Sequence, residues 1–297
     1  MPRSKQSPIR ITRSLLKRMP LPDHDSDGDK EERGRVLIVG GETALPGAII
    51  LAGIAALRAG AGKLQLATCR STASIVGVSV PECLAVGLDE TKSGTISRKA
   101  APDICDYGHA ADAVLIGPGL RQSDENDVLV KSILERLTDT PVILDAGALS
   151  ALRKTPDLLH PLDGNAVVTP HAGEMASALG IDKSDVEKDP AAIAVYAAAT
   201  LGSIVALKGS ETYIASPDGE LYLYDSGDIG LATSGSGDTL AGIVTGLLAR
   251  GASPPHSAVW GVFLHGAAGN VLAKRLGRIG FLARELLDEI PPIMNSL

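Results

Sequence analysis

The segment 232–251, ATSGSGDTLAGIVTGLLARG, combines a glycine-serine loop, an aspartate and an uncharged helical run. Leu240, Ile243, Val244, Leu247 and Leu248 form one apolar face at helical spacing. Ala241, Gly242, Thr245, Gly246 and Ala249 form a second face of small residues. A helix with no charged face is buried, and its small face admits another element at close range. A helix beginning near Gly237 or Asp238 aims free N–H groups and the positive end of its dipole at the loop. That end is an anion site. Gly235 and Gly237 let backbone N–H groups turn toward a phosphate. Aspartate is also a favoured N-cap, so capping alone could explain Asp238. The glycine pair exceeds what a cap requires, however, and a carboxylate fixed beside a phosphate loop is suited to take a proton from a hydroxyl. On this reading the dipole keeps Asp238 ionised, while a bound phosphate opposes that.

Two further turns carry polar groups. In TPHAGE (169–174), Pro170 closes a strand and His171 opens a helix. One reading makes His171 a cap with Glu174 supporting the helix start. The other has His171 reaching a ligand's oxygens and Glu174 placing a Mg²⁺ ion or its waters, since hard cations prefer carboxylate oxygen. In LKGSET (207–212), Gly209 permits close approach, and Lys208 reads equally as a snorkelling surface lysine or a phosphate ligand. The turn at Gly117–Gly119 and the strand-end Asp145 are weak signals alone. His265, within an apolar helix, reads as a satisfied core histidine.

The elements that must position these groups alternate. Short apolar runs at 35–40, 63–68, 113–116, 141–144, 166–170 and 204–209 read as buried strands. Between them lie helical patterns, including the Ala-rich 47–62, 128–137 and the helix opened by His171. Strands at 212–216 and 220–225 are joined by the hairpin signal PDG, and two long apolar helices follow. Alternation of this kind predicts an α/β fold: a largely parallel sheet covered by helices on both faces, with antiparallel strands at one edge. In such folds ligands sit beyond the carboxyl ends of the strands, where the turns above converge.

Bulk properties are those of an ordinary globular protein. The chain has 297 residues, 44% hydrophobic and 21% charged, with 3% aromatics. Its core must therefore be built from Ala, Leu, Ile and Val. A net charge of −7 argues against a nucleic-acid partner, and no apolar run reaches the length of a membrane span. Cys69, Cys83 and Cys105 show no metal-type spacing and fit a reducing cytoplasm. Residues 1–33 read as a polar N-terminal extension in which only ITRSLLKRMP (11–20) is periodic, a short helix packing on the body. Residues 1–20 are basic and free of acids, as a mitochondrial presequence would be, but DHDSDGDKEERG (23–34) reads better as a solvated lead-in. Residues 34–297 form one domain.

GPGL (117–120), LDAGAL (144–149), VTPHAGEM (168–175), LKGSET (207–212), ATSGSGDTLAGIVTGLLARG (232–251) and FLHGAAG (263–269), with GRVLIVGG (34–41) and PGAIILAGIAALRAGAG (46–62), resemble the ADP- or ATP-dependent NAD(P)H-hydrate dehydratases of the ribokinase-like superfamily. The resemblance spans roughly residues 34 to 290. It implies a three-layer α/β/α sandwich and repair of hydrated NADH and NADPH: a nucleotide phosphorylates the ring hydroxyl, phosphate leaves, and the double bond returns. It further implies that Asp238 is the base and that Gly235, Ser236 and Gly237 cradle the transferred phosphate. Lys208, Gly209, Ser210, Glu211, Thr212 and Gly237 would lie along the nucleotide, and Gly47, Ala48, Gly119, His171 and Asp238 against the hydrated dinucleotide. Mg²⁺ is the implied cofactor. A homo-oligomer such as a tetramer is implied, in the cytoplasm, with a separate epimerase as functional partner. Three departures stand out: Ser236 replaces a usual threonine, Asp145-Ala146-Gly147 replaces an Asp-Ala-Asp run, and SGDIGLAT (226–233) replaces an Asn-Pro-Gly turn. Two other functions compete: an ATP-dependent kinase of a small alcohol such as hydroxymethylpyrimidine or hydroxyethylthiazole, and a non-catalytic nucleotide-binding protein.

Overall fold

A computed structural model describes residues 7–22 and 33–297. The acidic lead-in at 23–32 and the first six residues lie outside the described residues. The chain begins with β1 (Ile9–Arg10) and α1 (Arg13–Arg18). The sheet then builds through β2 (Arg35–Val39), α2 (Pro46–Arg58), β3 (Lys63–Cys69), α3 (Arg70–Ser79) and β4 (Cys83–Leu88). It continues with α4 (Ala101–Gly108), β5 (Ala113–Ile116), α5 (Asp124–Leu134), β6 (Val142–Leu144) and β7 (Ala166–Val168). Three helices follow, α6 (Ala172–Leu179), α7 (Lys183–Lys188) and α8 (Pro190–Leu201), then β8 (Ile204–Leu207), β9 (Thr212–Ala215) and β10 (Leu221–Tyr224). The chain ends with α9 (Ser236–Ala249), α10 (Pro254–Leu276) and α11 (Ala283–Asn295).

The strand order is β1-β10-β9-β8-β7-β6-β5-β2-β3-β4. From β8 to β4 all neighbours are parallel, while β9 runs antiparallel to both β8 and β10. Strand side chains alternate between two cores: Val36, Ile38 and Leu115 face the layer of α2, α9, α10 and α11, and Leu37, Val39 and Ile116 face α4, α5, α6 and α8. Both sheet faces are thus covered, which is why the strands read as unbroken apolar runs. The predicted three-layer, largely parallel architecture with antiparallel edge strands is the one observed.

The small face of α9 meets α2. A Cβ placed on Gly242 would stand 2.2 Å from the Ala52 carbonyl oxygen, and one on Gly246 would stand 2.3 Å from that of Ala56. The matched spacing, 52 with 242 and 56 with 246, means the two helices run in the same direction. Their N-termini therefore lie side by side at one end of the sheet, and a Cβ on Gly235 would meet Leu51 of α2 at 2.5 Å.

Residues 7–22 are packed against the body. β1 pairs in parallel with β10, Leu15 and Leu16 are buried, and Trp260 Nε1 donates to the Met19 carbonyl at 2.7 Å. The short helix expected here forms as α1. Periodicity alone does not assign α3, β4, α4, α7, α8 or α11. In α11 the internal Pro291 and Pro292 mask a helix whose apolar face packs on α2 and α10. The three cysteines are unpaired, with Cys69 and Cys105 buried and Cys83 partly so. Among the described residues no helix is long and apolar enough to cross a membrane.

Candidate active site

The site forms where the carboxyl ends of β6, β7 and β8 face the N-terminus of α9. β7 and β8 continue past their ends into a bridge between His171 and Lys208, closed by the Lys208 N–H donating to the Pro170 carbonyl at 2.8 Å. This backbone link carries Lys208 inward. Its ammonium lies 2.9 Å from Asp145 and 4.0 Å from Glu174. A Cβ on Gly237 would stand 3.2 Å from the same nitrogen. Lys208 is therefore not a snorkelling surface lysine. Burial disfavours its charge, but Asp145, with Glu174 and Asp238, outweighs that and holds its pKa above the usual lysine range.

Asp145 is fixed from several sides. Its carboxylate is buried and accepts from Thr169 Oγ1 at 2.7 Å as well as from Lys208. The next residue, Ala146, sits in the left-handed region at φ 49°, a conformation that costs an alanine on the order of 1 kcal/mol and clusters at functional sites. Asp145, a weak signal in the sequence, is thus the counter-ion that aims Lys208.

The α9 start has the geometry expected of an anion site, with free N–H groups aimed into the loop before it. Gly235, at φ 87°, is the N-cap, and the first helical residues are Ser236, Gly237 and Asp238. Asp238 is therefore three residues past the cap, and the capping explanation fails. Its charge state also differs from the expectation that the dipole keeps it ionised. Burial, and then the nearby Asp145 charge, push its pKa up to about 7, with Lys208 opposing and Glu174 adding to the rise. A pKa in this range is the one that suits a general base at neutral pH.

His171 is the N-cap of α6. Its Nδ1 accepts from the N–H groups of Gly173 and Glu174 at 3.0 and 3.2 Å, and Glu174 accepts from the His171 N–H at 2.8 Å. This is a complete capping box. Because Nδ1 accepts, Nε2 carries the proton; it lies 3.4 Å from Glu174 Oε1, on a ring that is mostly exposed, so a ligand oxygen would have to compete with that carboxylate for it. The same box commits one Glu174 oxygen to backbone, and the carboxylate also faces the Lys208 cation. Among the described residues no group of three or more His, Cys, Asp or Glu is arranged to hold a metal ion. The donor set does not fit a protein-held Mg²⁺.

A cavity of about 790 Å³ opens from this point. It is lined by His171, by Lys208, Gly209, Ser210 and Thr212, by Ser236 and Gly237, and by Ile229 and Leu231. Glu211 is turned away from this cavity, with its carboxylate accepting from Tyr213 Oη at 2.7 Å. The departure segment 226–233 forms a short helical turn, Ile229–Leu231, capped by Asp228, and supplies apolar cavity wall. Gly47 and Ala48 lie in the first turn of α2, beside α9. Gly119, at φ 72°, packs against the loop before α2, where a Cβ would stand 2.6 Å from the Leu45 carbonyl.

Two groups were not predicted as site residues. His265 Nε2 lies 2.8 Å from Ser236 Oγ, so this histidine reaches the start of α9 from α10. Glu42, fully buried, pairs with Arg121 and accepts from Asn126 Nδ2 at 2.6 Å; the Glu42 N–H donates to the Gly119 carbonyl. This staple fixes the two loops carrying Gly47 and Gly119. Glutamate in a glycine-rich turn was the available signal.

Residues 36–292 match the family model for NAD(P)H-hydrate dehydratase. The chain belongs to that family. It is 48% identical to an ADP-dependent (S)-NAD(P)H-hydrate dehydratase of Xanthomonas campestris, over 97% of this chain and 96% of that protein. A Moorella thermoacetica bifunctional NAD(P)H-hydrate repair enzyme is 40% identical, but the chain spans only 53% of its length. The Bacillus subtilis ADP/ATP-dependent NAD(P)H-hydrate dehydratase, crystallised with ATP and Mg²⁺, superposes with a TM-score of 0.84 at 33% identity, covering 98% of this chain and 99% of that one. A hydroxyethylthiazole kinase from Pyrococcus horikoshii, at 18% identity and a TM-score of 0.60, covering 94% of this chain and 92% of its own, shares the fold alone. The dehydratase family thus accounts for the whole body of the chain, and the ribokinase-like architecture extends beyond it.

Proposed function

We infer that this dehydratase-family chain restores hydrated NADH and NADPH to NADH and NADPH with consumption of ADP or ATP. It is a carbon–oxygen lyase working through a phosphorylated intermediate. The carrying observation is Asp238, held at the anion-binding start of α9 with a pKa near 7, in a chain 48% identical to an ADP-dependent dehydratase over nearly its full length. In the proposed sequence Asp238 takes the proton of the ring hydroxyl while its oxygen attacks the terminal phosphorus. The bridging P–O bond breaks and the shortened nucleotide departs. The ring C–O bond then breaks with phosphate taking the electron pair, and proton loss from the neighbouring carbon re-forms the double bond. Gly235, Ser236 and Gly237 receive the phosphoryl group. Lys208, Gly209, Ser210 and Thr212 follow the nucleotide, with Glu211 bracing their loop through Tyr213. Gly47, Ala48, Gly119 and His171 receive the hydrated dinucleotide. A Mg²⁺ ion carried by the nucleotide phosphates would screen their charge, and Glu174 would meet it through water alone; no step is assigned to it.

Either ADP or ATP is the proposed donor: the Xanthomonas relative is named ADP-dependent, and the Bacillus enzyme is named ADP/ATP-dependent. The reading also places the enzyme in the cytoplasm, beside a separate epimerase, the activity that bifunctional relatives couple to this one. The reading includes a homo-oligomer such as a tetramer, for which the exposed Ile75, Val78 and Leu84 at the β4 end of the sheet offer apolar surface; sedimentation velocity tests it.

Recovery of absorbance at the reduced-nicotinamide band, from hydrated NADH with ADP or ATP, tests the activity. A stable phosphate ester in place of inorganic phosphate would show a kinase. Nucleotide binding without turnover would show a binding protein.

A further inference from the structure

We propose that His265 is a positioning residue for phosphoryl transfer: through Nε2 it holds the Ser236 hydroxyl so that the hydroxyl proton points into the anion cradle at the start of α9. The inference rests on the phosphoryl-transfer reading above. Ser236 is the first helical residue of α9 and only 4% exposed, so its hydroxyl has few orientations available. One partner within reach is the His265 ring, at 2.8 Å, carried on the tightly packed neighbouring helix α10. That approach is close: a Cβ on Gly261, one helical turn before His265, would meet Val244 of α9 at 2.5 Å.

The ring is neutral. Burial first, and then the Lys208 charge, push its pKa down to about 4. A neutral imidazole has one N–H, and its two tautomers present opposite faces to a ligand. With the proton on Nε2, the ring donates to Ser236 Oγ and the hydroxyl proton is left for the ligand. With Nε2 bare, the ring accepts a hydrogen bond from the Ser236 hydroxyl, and Ser236 turns lone pairs toward the cradle, which an anion repels. A phosphoryl group between Ser236 and the backbone N–H groups of α9 therefore selects the first arrangement. The result is a directed donor that costs no reorganisation when charge develops on the transferring oxygens. No positive charge on His265 is required, so Lys208 and the ring do not compete.

The experiment compares His265→Leu, His265→Gln, Ser236→Ala and the double variant Ser236→Ala/His265→Leu, by turnover of hydrated NADH and by calorimetric titration with inorganic phosphate. His265→Leu is expected to lower kcat about ten- to a hundredfold, somewhat less than loss of an oxyanion donor, with KM for the hydrated dinucleotide little changed. Its phosphate affinity falls as well. His265→Gln, whose amide N–H can reach Ser236 Oγ, recovers most of the loss. In the Ser236→Ala background, His265→Leu has no further effect on either readout. A purely structural histidine would instead lower thermal stability, give additive losses and gain nothing from glutamine. Equal effects of His265→Leu with and without the Ser236 hydroxyl would overturn the proposal. Absence of any turnover by the wild type would sink the dehydratase reading, while the phosphate titrations would still decide the role of His265.

Discussion

The Lys208 ammonium lies 2.9 Å from the Asp145 carboxylate, and this pair, from the ends of β8 and β6, sets the charge around Asp238. Asp145 pushes the Asp238 pKa up and Lys208 pulls it down. The two partners of one buried ion pair thus act on the base with opposite sign. Removing either should move the activity profile in a predictable direction.

Wild-type kcat/KM should rise with pH through a single limb near pH 7 as Asp238 loses its proton, because only the carboxylate can accept the substrate proton. Asp145→Asn removes a negative charge that adds to the rise caused by burial, and should shift that limb to lower pH. Lys208→Met removes the positive charge that opposes the rise and should shift the limb to higher pH, with weaker nucleotide binding as well. Limbs that move the same way in both variants would contradict the electrostatic account.

Asp238→Asn should lower turnover by about 10²–10⁴ while nucleotide affinity holds or improves slightly. It should also stabilise the fold at alkaline pH. The native pKa lies above the unfolded value of 3.8, so the native state is favoured by protonation and loses stability as pH rises from about 4 to 7. The asparagine variant escapes that loss. Its thermal midpoint should exceed the wild type's by a few degrees at pH 8, and the gain should vanish near pH 4. Thermal melts across pH test this without any substrate.

Gly237→Val places a branched side chain against the Lys208 ammonium, where even a Cβ would stand 3.2 Å away. Calorimetry should show nucleotide affinity falling at least tenfold with little change in thermal midpoint. Unchanged affinity would put the anion elsewhere.

His171 has two duties that substitution can separate. His171→Asn keeps a cap acceptor, whereas His171→Ala loses it at a cost of about 1 kcal/mol. Both remove the Nε2 donor. Both should raise KM for hydrated NADH severalfold to about a hundredfold, as expected for one hydrogen bond to a neutral or charged ligand, and only alanine should lower the thermal midpoint. Because His171 lines the same cavity as Lys208, paired titrations with nucleotide matter. A loss confined to nucleotide would reverse the assignment of the two halves of the cleft.

Gly242→Ala should be strongly destabilising, since its Cβ would fall 2.2 Å from the Ala52 carbonyl oxygen. Overpacking costs typically 1–3 kcal/mol and more where backbone must shift, so the thermal midpoint should drop by several degrees or more.

The sequence by itself determined the α/β alternation, the buried two-faced helix 236–249 and the anion-binding glycines ahead of it. These are local properties: periodicity, the absence of charge and backbone freedom are written in consecutive residues. It also held the family resemblance, carried by turns whose spacing survives in one chain. Only the tertiary structure decided what Asp238, Lys208 and His265 are. Burial, and then the charge of Asp145 from 93 residues earlier, push the Asp238 pKa up to about 7. Lys208 points inward because a bridge to His171 and the Asp145 carboxylate hold it there. His265 meets Ser236 because α9 and α10 pack closely enough for its ring to span the gap. Burial and charge proximity depend on which distant segments become neighbours, and that is a property of the packed layers, not of any stretch of sequence.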